Sequence, residues 1–168
     1  TGDRSYHSLC PDPGAGLVSG AAGDGHRAAI EKLVFAYAGL LDSGDFEGVA
    51  RLFERASYGL EGGVALEGTD ALLGAMRAMV IVYEDGTPRT KHLTTNLVVD
   101  IEGDGTRAGA SSYFTVLQAT DGLLLQPILT GRYADRFALD ERGWHFTSRR
   151  LSINLRGDVS RHLRESLG

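Results

Sequence analysis

His92 and Asp42 are the two side chains whose types and positions are suited to acid–base chemistry. His92 stands near the start of the longest alternating segment in the chain, 90–101, and Asp42 stands at the end of a helix-patterned segment. An imidazole titrates near neutral pH, and a carboxylate bonded to one ring nitrogen fixes the tautomer and makes the other nitrogen a better base. A carboxylate in a last helical turn opposes the helix dipole by up to about 1 kcal/mol, so Asp42 invites a partner. The run Asp42-Ser43-Gly44-Asp45 is also good turn chemistry, in which Asp42 merely caps the following helix. If the two groups meet in an apolar site, they can remove a proton beside a carbonyl or from a carbon next to a leaving group. The result is β-elimination or isomerisation. Tyr37, one and a half turns before Asp42, is placed to donate a hydrogen bond to a developing oxyanion or leaving group.

Strand alternation complicates this. His92, Thr94, Asn96, Val98 and Asp100 share one face of the segment, whereas Leu93, Leu97, Val99 and Ile101 form the apolar one. A cavity-facing His92 requires either a polar face at the cavity mouth or a bulge that switches faces.

The elements that must position these groups follow from periodicity. Ile30, Leu33, Val34, Tyr37 and Leu41 recur at helical steps within 26–42, with Asp24 as N-cap and Ser43-Gly44 as the stop. Ser43 or Asp45 starts a short second helix, 46–53. A hairpin over 56–66 is broken by Gly62-Gly63, and Thr69 caps a third helix to about Tyr83. Long strands are expected at 90–102, 106–120, 123–139 and 143–155, joined by tight Gly- and Asp-containing turns into an antiparallel meander. Pro127 within the third of these calls for an edge or a bulge. Three helices ahead of such a meander give an α+β domain. The helices cover a strongly curved, cone-shaped sheet around an apolar cavity, the usual site for a small hydrophobic molecule.

At 168 residues one core suffices, spanning 26–155. Residues 1–25, rich in glycine, read as a flexible leader, and 156–168 as a tail that is helical or frayed. A net charge of −5 and only two lysines, Lys32 and Lys91, argue against a nucleic-acid partner. No apolar run is long enough to span a bilayer and no signal-like segment opens the chain, so no membrane partner is expected. Cys10 is the only cysteine, which excludes an intrachain disulfide and fits the cytoplasm. The histidines lack metal-ligand spacing, no glycine-rich phosphate loop occurs, and Ser111 and Ser112 sit in no nucleophile elbow, so neither metal nor cofactor is expected.

The order of elements resembles the SnoaL-like branch of the nuclear transport factor 2-like superfamily. The resemblance rests on the phrases 37–46, Leu52-Phe53, His92-Leu93-Thr94-Thr95-Asn96, 131–137 and Gly143-Trp144-His145-Phe146. It is nearest to the pattern of scytalone dehydratase, hexachlorocyclohexane dehydrochlorinase and the bile-acid dehydratases, whose aspartate, histidine and tyrosine match Asp42, His92 and Tyr37. The second acid/base residue of those dehydratases has no counterpart here; the aligned position lies near Thr115. A ketosteroid isomerase-like arrangement would instead pair Tyr37 with Glu61, with Tyr133 near the place of the buried acid. The resemblance implies a lyase or isomerase acting on a hydrophobic, hydroxylated or polyketide-like ring compound. Non-catalytic binding domains and the accessory subunits of oxygenases share the same pattern. Expected ligand-binding residues are Phe46, Phe53, Tyr58, Met76 and Val80 from the helical half. Asn96, Tyr113, Thr115 and Tyr133 are expected from the strands. The resemblance also implies a homodimer paired through the outer sheet face, a surface that Arg132, Arg136, Arg149 and Arg150 would pattern.

Overall fold

Ile30, Val34, Tyr37 and Leu41 bury one face of a helix, as their spacing requires, each side chain contributing about 1.5–3 kcal/mol on leaving water. In this computed structural model, which describes residues 21–164, that helix is α1, Ala21–Ser43. It begins inside the range assigned to the leader, so Asp24 lies in its first turn rather than at its cap; the rest of the leader lies outside the described residues. Gly44, at φ 76°, ends the helix in a left-handed turn that a β-carbon would strain. Asp45 then caps α2 (Phe46–Leu52) by accepting from the Gly48 N–H at 2.7 Å. The cap is therefore Asp45, and Asp42 is left for another partner.

The remaining elements are β1 (Ser57–Leu60), β2 (Leu66–Glu67), α3 (Thr69–Met79), β3 (Thr90–Ile101), β4 (Arg107–Thr120), β5 (Leu123–Asp140) and β6 (Gly143–Arg156). The strands form one sheet in the order β2-β1-β6-β5-β4-β3, antiparallel throughout except where β1 runs parallel to β6. The architecture is thus the α+β arrangement expected, a curved, unclosed sheet with α1 packed across β3 and β6. Helix α3 is shorter than its pattern suggests. Gly68 precedes it without a side-chain cap, Thr69 is already helical, and Val80 turns extended to form an isolated bridge with Leu163.

Bulges decide which way side chains face. Thr95 pairs with Tyr113 and Val98 with Ser111, so β3 carries one residue more than β4 over that interval, and Asn96 takes a φ of 54°. Before the bulge Thr90, His92 and Thr94 turn inward; after it Leu97, Val99 and Ile101 do. Both faces of the alternating pattern therefore serve one interior. A second bulge skips Ile128, because Val116 pairs with Leu129 and Leu117 with Pro127. Pro127 pairs with Leu117 of β4 at this bulge and lies beyond the end of the β6 ladder at Leu129–Arg156, so it sits where a strand tolerates proline.

The segment after β6 forms no helix among the described residues. Instead 158–164 is bonded onto the domain. The Ile81 N–H donates to the His162 carbonyl at 2.9 Å, the Arg164 N–H to the Met79 carbonyl at 2.9 Å, and the Gln118 side-chain amide to the Arg161 carbonyl at 3.0 Å. This turn closes one wall of the interior.

Candidate active site

Between the helices and the sheet lies an apolar cavity of about 380 Å³. Its wall includes Tyr37, Leu41 and Phe46 from α1 and α2, Met76, Met79 and Val80 from the end of α3, and His92, Phe114, Val116 and Tyr133 from the long strands. His162 and Leu163 complete it from the C-terminal turn.

Asp42 and His92 meet at its edge. The His92 Nδ1 lies 2.6 Å from one Asp42 carboxylate oxygen, the His92 backbone N–H donates to the same carboxylate at 3.0 Å, and the Thr90 hydroxyl donates to it at 3.0 Å. An ionised carboxylate only accepts, so Nδ1 carries the proton of that bond and Nε2 of the neutral ring keeps its lone pair. The two side chains are 11% and 9% exposed. Burial pushes the Asp42 carboxyl up, but the bonds from the His92 ring, the His92 N–H and Thr90 outweigh it and hold the group below its ordinary value.

That lowered value fixes a sign. Ionised Asp42 adds stability above the ordinary carboxylate range, and the stability is lost as pH falls through the lower folded value. The advantage of wild type over Asp42→Asn in urea unfolding at about pH 7 therefore shrinks below about pH 4. An advantage unchanged down to about pH 3 refutes the assignment.

Three phenols form a second polar group. The Tyr37 and Tyr58 hydroxyls are 2.5 Å apart, the Tyr133 ring packs edge-on against Tyr37, and all three side chains line the cavity. Burial raises the pKa of each, with the Arg149 charge opposing, so all remain protonated donors. Behind them Arg149, fully buried, donates to both Asp135 oxygens at 2.7 Å from Nε and Nη2 and lies 4.4 Å and 4.2 Å from the Tyr37 and Tyr133 ring centres. Burial disfavours its charge, but Asp135 outweighs that and keeps it protonated. Arg149 thus leaves the outer-face arginine group; adjacent residues on a strand face opposite ways, and Arg150 takes the outward position.

Tyr58, Phe46, Met76, Val80 and Tyr133 reach the cavity with Tyr37 and His92, whereas four other expected ligand contacts do not. Phe53 is packed beneath it, against Phe146 and Tyr58. Asn96 sits in the bulge and is exposed; Tyr113 and Thr115 lie on the outer face, opposite Thr95 and Leu93, because inward positions on β4 are the even-numbered ones. The residue paired with His92 is Val116, which supplies no acid or base. Glu61, central to the ketosteroid isomerase-like arrangement, is exposed and bonded to the Ser152 hydroxyl.

One site residue escaped the sequence. His162 is 7% exposed, lines the cavity, and has an Nδ1 without a hydrogen-bond partner among the described residues. Burial and the nearby His92 ring push its pKa down to about 4, so it is neutral at ordinary pH. Its only sequence signal is an apolar setting, Val159 and Leu163 at three- and one-residue distances, in a stretch read as tail. Among the described residues no cluster of three potential metal ligands occurs, and no helix is long and apolar enough to cross a membrane.

No curated protein is significantly similar to the chain in sequence. Among solved structures, a Mycobacterium tuberculosis protein of unknown function, Rv3472, shares 26% identity, with 76% of each chain covered and a TM-score of 0.61. A proposed scytalone dehydratase from Novosphingobium aromaticivorans shares 24% identity over 82% of this chain and 89% of that one, with a TM-score of 0.66. The β subunit of a proposed aromatic-ring-hydroxylating dioxygenase from the same organism shares 22%, over 83% and 97%, with a TM-score of 0.63. At such identities the last two speak for the fold alone. The sequence model of the SnoaL-like domain matches residues 26–150, most of the described chain, and the protein belongs to that family.

Proposed function

We propose that the protein is a cofactor-independent lyase or isomerase acting on a small hydrophobic, hydroxylated or polyketide-like ring compound. The carrying observation is the Asp42–His92 hydrogen bond of 2.6 Å beside an apolar cavity. Asp42 holds the ring with its proton on Nδ1, and Nε2 takes a proton from a carbon next to a carbonyl. The electron pair left behind forms a carbon–carbon double bond as a neighbouring carbon–oxygen bond breaks. The imidazolium, stabilised by Asp42, then returns its proton to the departing hydroxide as water, or to another carbon in an isomerisation. Tyr37, supported by Tyr58 and Tyr133, donates to the oxygen on which charge develops. This chemistry asks for no metal or nucleotide.

The test is a screen of bicyclic hydroxy-ketones, followed by loss of water in the mass spectrum and new conjugated absorbance. Turnover of at least one compound is expected. Binding of such compounds with none transformed would replace this reading by a second, a non-catalytic binding or accessory subunit using the same cavity. An Asp42 carboxylate out of reach of His92 would favour that alternative, and the observed separation does not.

A homodimer belongs to the same proposal. Leu93 and Tyr113, 45% and 47% exposed on the outer sheet face, and Arg132 over the Tyr113 ring give two copies an amphipathic surface to share. Light scattering at about micromolar concentration should give twice the chain mass, and a monomer would remove the idea. A cytoplasmic location likewise remains part of this reading.

A further inference from the structure

We infer that His162 is a ligand anchor, hydrogen-bonding a hydroxyl group on an otherwise apolar ring compound from the wall that the C-terminal turn supplies. Buried polar atoms in folded proteins are paired in the great majority of cases, and an orphan calls for an explanation. The Nδ1 of His162 is such an orphan, in a ring that forms part of the cavity wall. The backbone around it is tied down. The His162 carbonyl accepts from the Ile81 N–H, its own N–H donates to the Val159 carbonyl at 2.9 Å, and Leu163 bridges to Val80. The imidazole is thus held on a fixed scaffold in the cavity wall, and among the described residues no group satisfies its Nδ1.

The chemistry of the ring selects the partner. Among the described residues the titratable groups that act on it electrostatically are His92 and Asp42, and burial and His92 together keep it uncharged. A neutral imidazole has one N–H and one lone pair and offers no charge to a carboxylate or phosphate. A hydroxyl, both donor and acceptor, satisfies either tautomer. His162 therefore adds an oxygen-recognising point to the cavity, separate from the tyrosine hydroxyls, and turns it towards hydroxylated rings. The substrate class deepens the catalytic reading and rests on it, but the anchoring itself requires no turnover.

The test compares α-naphthol with naphthalene, the same ring system without the oxygen, as ligands of the full chain by calorimetry or fluorescence. Wild type is expected to prefer α-naphthol, His162→Leu to lose about fivefold of that preference, and His162→Gln, which keeps a donor and an acceptor, to restore much of it. In NMR the wild-type His162 ring nitrogens should shift with α-naphthol and not with naphthalene, a readout that stands even where a variant does not fold. An unchanged preference in His162→Leu, or equal ring shifts with both probes, overturns the inference. Anchoring by His162 without any compound being turned over would remove the catalytic reading and leave this one; turnover unaffected by His162→Leu, with no ring shift, would do the reverse.

Discussion

Replacing His92 by alanine, or Asp42 by asparagine, is expected to lower kcat by about 100-fold or more on any compound the protein transforms. The two substitutions act differently. His92→Ala removes the cavity-lining imidazole that, alone among the described residues, has a carboxylate partner, so the proton has no acceptor of suitable strength. Asp42→Asn keeps the shape but exchanges an acceptor oxygen for an amide donor, which faces the Thr90 hydroxyl, the His92 N–H and the Nδ1 proton. It also withdraws the negative charge that stabilises the imidazolium. Because the loss falls on the proton-transfer step, kcat should drop with little change in KM. Both chains should still unfold cooperatively. Retained turnover in either variant, with the fold intact, would dismiss the dyad as the source of activity.

The largest effect on stability is expected at the buried ion pair. Asp135 and Arg149 face each other in register across β5 and β6, 3% and 0% exposed, with both carboxylate oxygens engaged. Asp135→Asn leaves the guanidinium, which does not deprotonate, without a compensating anion among its described contacts and enclosed by Tyr37, Tyr133 and Phe146. Breaking one side of such a pair costs about 3–5 kcal/mol, which for a chain of this size lowers Tm by roughly 6–20 °C. The double change Asp135→Leu with Arg149→Met removes both charges and should cost clearly less than the two single changes summed. Additive losses in urea unfolding would mean that the pair acts through packing rather than charge. Ligand binding should weaken along with stability, since Arg149 supports the rings whose hydroxyls line the cavity.

The interval 90–101 marks the limit of what a period-two pattern tells. Its length and strand character were legible, but the alternation taken literally sent His92 and Leu97 to opposite faces. Asn96 gives a local hint, since asparagine tolerates positive φ better than most residues, yet the extra residue exists only relative to Tyr113 and Ser111 on the neighbouring strand. Asn96, Tyr113 and Thr115 were expected in the cavity for want of that register. Arg149-Arg150 failed for a related reason. A dipeptide of like charges reads as surface, and only the carboxylate opposite, on another strand, explains one of them being buried.

By itself the sequence determined the helix faces, the glycine that stops α1, the four long strands and the anomaly of a carboxylate at a helix C-terminus, because each depends on neighbours within a few residues. Tertiary structure decided everything that depends on two distant segments meeting. The β3 bulge turned His92 inward to Asp42, the β5–β6 register buried Arg149 against Asp135, and the turn after β6 carried His162 into the cavity wall. Those contacts are set by how strands pair and where the chain returns, which no local periodicity encodes.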